Sequence, residues 1–150
     1  MSNDNEITLK YLPFYWGKRF RFYPMVNVII EAKAATGGPA LIDSGATNTF
    51  IPYSLADAIG IIPTDKSKVK KSRTIGASGQ FDTSIYNLKR LQVFKDNHVI
   101  ETFQDIPVYV SDNVEDPLPH IILGRDSIFK HFDITILENR RKMVFRRYKS

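Results

Sequence analysis

The chain has 150 residues, of which 43% are hydrophobic and 25% charged, and it contains no cysteine. This composition is typical of one folded domain rather than of a disordered or fibrous chain. The absence of cysteine excludes disulfide bonds, thiolate metal sites and a cysteine nucleophile. The formal net charge of +5 leaves an anionic partner open.

The start of the chain and its basic clusters bear on location and partners. Residues 1–6 are polar and lack the apolar stretch of a signal peptide, and no apolar run reaches the roughly 20 residues that span a bilayer. Together with the lack of cysteine, this predicts a cytoplasmic protein without a transmembrane segment. Basic residues cluster at 18–21, 66–73 and 140–149. Such clusters are usually solvated surface, so nucleic-acid binding is the less favoured interpretation.

The first elements are predicted as β-structure. Residues 1–25 read as an N-terminal extension or an additional strand, followed by the main domain at residues 26–150. A strand is expected at 26–32, a turn at 36–39, and a return strand at 40–42. This hairpin delivers the carboxylate of Asp43 at a strand end.

The middle of the chain predicts a connector and a mobile hairpin. A short helix is expected from Ser54, as a possible N-cap, to Gly60. Strands at 70–75 and 81–88 flank a glycine-containing tip.

The remaining elements are short strands with one further helix. Strands are expected at 91–94, 99–103 and 106–110, then a loop at 112–119 and an apolar run at 121–124. A helix at 126–132 precedes a terminal hairpin of residues 133–137 and 143–147. Since no long stretch keeps the 3.6-residue period of an amphipathic helix, the sequence predicts an all-β domain.

Two motifs resemble those of retropepsin-like aspartic peptidases, the retroviral-type, single-domain branch. The first follows an apolar strand and consists of Asp43, Ser44, Gly45 and Ala46. The second consists of Ile122, Leu123, Gly124 and Arg125. Between them lies a hairpin tip where that family keeps its flap, formed by Ile75, Gly76, Ala77, Ser78 and Gly79. The resemblance covers roughly residues 26 to 147.

The resemblance implies a closed β-barrel with one or two short helices, a flap hairpin and a two-fold dimer. It further implies an aspartic endopeptidase that hydrolyses extended peptide or protein substrates. Ile75, Ala77 and Ile122 would favour hydrophobic side chains beside the cleaved bond.

The chemistry requires two carboxylates, but the Asp-Ser-Gly tripeptide occurs once. A chain of this length is too short for the two lobes of a pepsin-like enzyme, so the second Asp43 is expected from another copy in a homodimer. Two carboxylates held close together cannot both ionise cheaply and share a proton. One then acts as general base on water and the other as general acid. No metal and no cofactor are expected.

The resemblance also implies roles for the supporting residues. Ser44 would hydrogen-bond across the dimer, and Gly124 would let the second motif pass closely beneath the catalytic loop. Arg125 would form a buried ion pair with an acid shortly after the tripeptide. Here residues 47–49 contain no acid, so Asp126 or an acid elsewhere is expected to substitute.

Alternative functions remain open at this point. His98, His120 and His131 are scattered without metal-ligand spacing and read as surface or hydrogen-bonded residues. No nucleophile elbow of a serine hydrolase is present. The main alternative is a non-catalytic retropepsin-like dimer module that binds peptide or nucleic acid. The aromatic N-terminal segment is expected to be an extra strand covering the barrel, or else a removable segment that blocks the cleft.

Overall fold

A computed structural model describes residues 5–76, 79–115 and 118–148 of the chain. Strands dominate the described residues, and the helices are short, which confirms the predicted all-β class. The strands are β1 (Glu6–Lys10), β2 (Leu12–Trp16), β3 (Arg19–Tyr23), β4 (Met25–Glu31), β5 (Ala35–Ile42), β6 (Lys70–Gly76), β7 (Gly79–Lys95), β8 (His98–Ser111), β9 (Ile121–Leu123), β10 (Phe132–Leu137) and β11 (Lys142–Arg147). The helices are α1 (Tyr53–Ala58) and α2 (Ile128–His131), with a 3₁₀ turn at Glu138–Arg140.

The largest sheet has the order β6-β7-β4-β5-β9, with β8 also paired to β7. Its pairs are antiparallel except for β5 and β9, which run parallel. These strands leave the circuit open between β8 and β9. The extended backbone around Phe50 fills that gap, because Phe50 bridges to Tyr109 of β8 on one side and Ile122 of β9 on the other. Backbone hydrogen bonds on both sides of this segment therefore link β8 to β9, and the strands and the segment together surround a barrel-like core.

The core lies inside this barrel and is built from alternating strand residues. In β4, Val26, Val28 and Ile30 are buried, whereas Asn27 and Ile29 between them are exposed. Successive side chains of a strand point to opposite faces, so one face of β4 packs inward. Each fully buried aliphatic side chain contributes about 1.5–3 kcal/mol. The core thereby fixes the register of the strands that carry the candidate site.

The two ends of the chain meet in a second, three-stranded sheet with the order β1-β11-β10. β1 pairs antiparallel with β11 across the register Glu6↔Arg146 to Lys10↔Lys142. Leu9 and Tyr11 are buried in the same core as the barrel strands. The predicted terminal hairpin is confirmed. The proposed division into residues 1–25 and 26–150 stays a prediction.

The turn predicted at residues 36–39 is wrong, because those residues lie within β5 and pair with β4. The chain reverses at residues 32–34 instead. There the backbone N–H groups of Lys33 and Ala34 both donate to the carbonyl of Ile59 after α1, at 3.0 and 3.1 Å. Pro39 is tolerated because β9 pairs only with the last three residues of β5, which leaves an open edge at position 39.

Both helices differ in extent from their prediction. Ser54 is not an N-cap, because the carbonyl of Pro52 already accepts the first helical bonds and α1 begins at Tyr53. Gly60 does follow the helix in a left-handed conformation, with φ +70°. The helix predicted at 126–132 is limited to Ile128–His131. Its expected first residues are drawn into contacts with the loop that follows Asp43, and Phe132 already belongs to β10.

Candidate active site

Asp43 lies immediately after β5, at the point where that strand leaves the barrel. The pairing of Ile42 with Leu123 in β9 brings the Asp43 N–H to the Leu123 carbonyl, 3.1 Å away. Beyond it the chain turns sharply: the Ala46 N–H donates to the Asp43 carbonyl at 3.2 Å, and the Gly45 N–H donates to Asp43 Oδ1 at 2.9 Å. Asp43 is half-buried, whereas Gly45 is exposed. The geometry presents one carboxylate on a short loop.

The second motif lies directly beneath this loop. A Cβ added to Gly124 would be 2.2 Å from the Asn48 carbonyl oxygen and 2.7 Å from that of Ala46. Such contacts leave no room for a side chain, so the close passage requires glycine. The next residue ties the two segments together, since the Arg125 N–H donates to the Ala46 carbonyl at 2.8 Å.

Side chains complete this attachment with partners that differ from the family pattern. Arg125 Nη2 donates to Thr47 Oγ1 at 3.0 Å, and it forms no ion pair within the described residues. The carboxylate of Asp126 instead accepts from Thr49, through Oγ1 at 2.7 Å and through the backbone N–H at 3.2 Å. Thr49 is fully buried and also meets Ser127 Oγ at 2.7 Å. Asp126 therefore anchors the loop, but through threonine rather than as the partner of Arg125.

The predicted flap corresponds to the hairpin of β6 and β7. The two strands pair from Lys70↔Ile85 to Gly76↔Gly79, and Gly79 has a positive φ of +115°, which side chains rarely adopt. Ile75 is 77% exposed beside that tip. Ala77 and Ser78 lie outside the described residues. The hairpin base is fixed by Asp112, which accepts from Ser84 and from Lys71.

Comparison with known proteins identifies the family. The sequence matches the family described as aspartyl protease over residues 27–127, a stretch that contains both motifs. The chain belongs to the aspartyl protease family.

The fold points to the same group of proteins. The structure is similar to the crystal structure of a retropepsin-like aspartic protease from Rickettsia conorii, with a TM-score of 0.59. The match covers 93% of this chain and 89% of that chain at 16% sequence identity. No curated protein matches the sequence. The retropepsin-like resemblance seen in the two motifs is thus confirmed.

One residue near the loop of this aspartyl protease, His120, was interpreted from the sequence only as a surface or hydrogen-bonded histidine. His120 immediately precedes β9 and is only 3% exposed. Its Nδ1 lies 3.0 Å from the Ile121 carbonyl, while its buried Nε2 has no hydrogen-bond partner in the described structure. Burial lowers the pKa of His120, and the backbone contact and the charge of Asp43 oppose that shift. The sequence signal that could have placed His120 near the site was its position directly before the second motif.

The other sequence-based features bear less directly on the site. No group of three or more metal-ligating side chains occurs among the residues that the structure describes. Two members of the basic cluster at 66–73 are engaged in ion pairs, Lys71 with Asp112 and Arg73 with Asp82. Across the described ranges, no helix is long and apolar enough to cross a membrane.

Proposed function

We propose that the protein is an aspartic endopeptidase whose active site forms when two copies bring their Asp43 carboxylates together. The observation that carries the proposal is the placement of Asp43 at the end of β5, on a loop fixed from beneath by Gly124. A carboxylate on an exposed, glycine-containing loop can approach its symmetry mate because no bulky side chain intervenes. One chain supplies one such loop, so the site requires the second copy.

The proposed reaction uses only water and the two carboxylates. At close range the pair retains one proton, because a second negative charge there is costly. The ionised Asp43 takes a proton from the bound water as the water attacks the peptide carbonyl. The protonated Asp43 hydrogen-bonds to that carbonyl and then delivers a proton to the leaving amine. The resulting pKa values belong to the pair and to neither residue alone.

The supporting residues have roles that fit their positions. Ser44 is exposed at the loop and its hydroxyl is proposed to hydrogen-bond across the two-fold axis. The close approach of Gly124 and the hydrogen bond between Asp126 and Thr49 hold the loop in one position. Because an enzyme gains from fixed catalytic groups, this attachment favours catalysis over a purely structural role.

The substrate is proposed to be an extended peptide that lies between the two Asp43 loops and the flaps. Ile75 exposes an apolar side chain at the flap, and Ile122 is half-buried in β9 next to the catalytic strand. These residues favour hydrophobic side chains on either side of the cleaved bond.

Cleavage of a diverse peptide mixture tests the proposal. Wild type, Asp43→Asn and the control Asp57→Asn are each incubated with the mixture from about pH 3 to pH 7, and products are identified by mass spectrometry. Asp57 is an exposed acid on α1, so its replacement should leave cleavage unchanged. Asp43→Asn should abolish cleavage, because an amide cannot serve as the base.

Two results would count against the proposed reaction. Equal cleavage by wild type and Asp43→Asn would remove Asp43 from the mechanism. Absence of cleavage in all three proteins would favour the non-catalytic peptide-binding dimer.

A further inference from the structure

Strands β2 and β3 form a two-stranded hairpin, here named the aromatic hairpin, that lies outside the barrel sheet. Its residues pair from Leu12↔Tyr23 to Trp16↔Arg19. Alternate residues point to opposite faces, so the paired positions define an inner and an outer face. The inner face carries Phe14 and Trp16 together with Arg21 and Arg19. The outer face carries Tyr15, Phe20 and Phe22.

The inner face packs against His120, and the surface around His120 beside the candidate site is here named the wall. Phe14 and Trp16 contact the His120 ring edge to face, with centroid separations of 5.5 and 5.4 Å. His120 lies close enough to Asp43 for the carboxylate charge to act on its pKa. Trp16 nevertheless remains 52% exposed. Part of the indole is therefore free to contact a molecule that is bound along this wall.

The aromatic hairpin is joined to the catalytic strand at its base. The carbonyl of Pro24, directly after β3, accepts the Ile42 N–H at 2.9 Å. Ile42 is the residue before Asp43. Each hairpin strand has five residues, which corresponds to about 17 Å at the rise of a β-strand. The hairpin thus begins at the catalytic strand and extends for the length of several substrate residues.

The charge of this segment has one sign. Residues 7–30 contain four basic side chains, Lys10, Lys18, Arg19 and Arg21, and no acid. Arg19 and Arg21 are exposed, and neither forms an ion pair within the described parts of the chain. Both lie on the inner face, where Arg19 is the cross-strand partner of Trp16 and Arg21 that of Phe14. An acidic side chain reaching this face would meet two unpaired guanidinium groups next to an exposed indole.

We propose that the aromatic hairpin is a second binding surface for the polypeptide substrate and selects chains with acidic side chains outside the cleaved pair. The inference rests on the proposed function, since Asp43 fixes where the substrate chain passes. A bound strand that continues beyond Asp43 runs along Trp16, Arg19 and Arg21. The enzyme accordingly combines an apolar requirement at the cleaved bond with an acidic requirement several residues away.

A substrate chain fits these observations better than a lipid surface. Arg19 and Arg21 share their face with Phe14 and Trp16, and that face is turned toward His120. A lipid surface would instead meet the outer face, where Phe22 already packs against Arg141, with the guanidinium carbon 4.7 Å from the ring centroid. The arginines are thus placed for a ligand that also occupies the candidate site.

Trp16 is the sole tryptophan of the chain, so its fluorescence reports directly on the hairpin. Asp43→Asn protein, which leaves peptides intact, is titrated with a peptide that has an apolar central pair and glutamates on both sides. The matched peptide carries glutamine at the glutamate positions. We expect a saturable change in Trp16 emission and about tenfold tighter binding of the glutamate peptide, the size expected for two exposed ion pairs.

Charge variants then locate the effect. Arg19→Gln combined with Arg21→Gln, in the Asp43→Asn background, should remove the tenfold preference. The control Lys66→Gln with Lys68→Gln changes two cations of the loop before β6 and should retain it. Raising the salt concentration should also reduce the preference in the protein with an unaltered hairpin.

Several outcomes would overturn the proposal. These are equal binding of the two peptides, a preference that salt leaves unchanged, and an equal loss in the hairpin and control variants. A Trp16 response confined to phosphatidylserine vesicles or to an RNA oligonucleotide would also overturn it. Cleavage of both peptides by wild type without dependence on the hairpin would leave the proposed function intact and remove only this surface. Hairpin-dependent binding without any cleavage would leave the binding surface intact and contradict the proposed peptidase function.

Discussion

At the scale of single residues, Gly124 is the glycine whose surroundings leave the least room for a side chain. Its Cα faces the carbonyl oxygens of Asn48 and Ala46, which belong to the loop that carries Asp43. Backbone atoms cannot move aside as a flexible side chain does. The shape of the loop that carries Asp43 therefore depends on the absence of one methyl group.

We predict that Gly124→Ala destabilises the fold and impairs the candidate site. A Cβ at 2.2 Å from a carbonyl oxygen must displace the loop, and overpacking of this kind costs about 1–3 kcal/mol or more. Denaturant unfolding measures the loss, and peptide cleavage should fall further than stability alone explains. Gly38→Ala is the matched control because nothing lies within 4 Å of its Cβ position. Comparable stability of the two variants would contradict the assigned role.

The residues around Gly124 show how far the sequence predicts this site. The order of the two motifs predicted that they meet, because both belong to a known pattern. The partners of Arg125 and Asp126 could not be read in the same way. Asp126 bonds to Thr49, which is 77 positions away in sequence. Only the folded barrel brings them together. The sequence also gives no signal that Arg125 bonds to the hydroxyl of Thr47 instead of to an acid.

At the scale of secondary-structure elements, the flap and terminal hairpins were predictable, whereas the hairpin of β2 and β3 and the first turn were not. Short segments separated by turn signals indicated the strands of the flap hairpin and of the terminal hairpin. In β5 the residues Gly37, Gly38 and Pro39 favoured a turn by their local preference. Pairing with β4 and an open edge at position 39 override that preference, and α1 stabilises the real turn from a distant part of the chain. Such tertiary contacts have no local signature.

The start of the chain is fastened by Tyr11, and this contact gives a pH-dependent prediction. The buried hydroxyl donates to Glu138 Oε2 at 2.7 Å, and burial followed by the bond and charge of Glu138 raises the pKa of Tyr11 to about 12. Tyr11→Phe should lower the free energy of unfolding by about 1 kcal/mol at neutral pH. Because the folded-state pKa is raised, the protonated Tyr11 stabilises the fold fully at pH values below the ordinary tyrosine pKa of 10.0. This contribution is lost as pH rises through about 12.

Alkaline unfolding curves measure this effect. The stability difference between wild type and Tyr11→Phe should stay constant up to about pH 10 and shrink toward pH 12. Tyr148→Phe serves as the control, since Tyr148 is 66% exposed. A difference that persists unchanged at the highest pH would contradict the contact with Glu138.

Asp112 fastens the base of the flap hairpin and predicts a response to acid. Burial alone would raise its pKa, but hydrogen bonds from Ser84 and Lys71 and nearby lysine charges together lower it. A lowered pKa in the folded state stabilises the fold above the unfolded value, and this stabilisation is lost as pH falls through the folded value. Asp112→Asn should therefore reduce the free energy of unfolding by about 1–2 kcal/mol at pH 7.

The same comparison at acidic pH gives the check. The unfolding free energies of wild type and Asp112→Asn, measured by thermal or urea unfolding, should converge as pH falls below the ordinary carboxyl pKa of 3.8 and through the lowered native value. Asp57→Asn, which changes an exposed acid, should track wild type throughout. An undiminished gap at the acidic end would show that the charge of Asp112 is not what supports the hairpin.

At the scale of the whole molecule, the barrel and the candidate site share the backbone segment that follows Asp43. Phe50 bridges to β8 and β9 immediately after the loop that carries Asp43, so the residues that follow Asp43 are held by both strands. The all-β class was predictable from the sequence pattern. Closure through a single extended segment was not, because an isolated bridge has no periodic signal.

The central claim is that each active site needs Asp43 from two chains, and mixing wild type with Asp43→Asn tests it most directly. The total protein concentration is held constant, the subunits are allowed to exchange, and peptide cleavage is measured as the wild-type fraction changes. If a site requires two carboxylates, activity follows the square of that fraction and falls to about a quarter at equal proportions. Activity that falls only to about half, in proportion to the wild-type chain, would contradict the shared site.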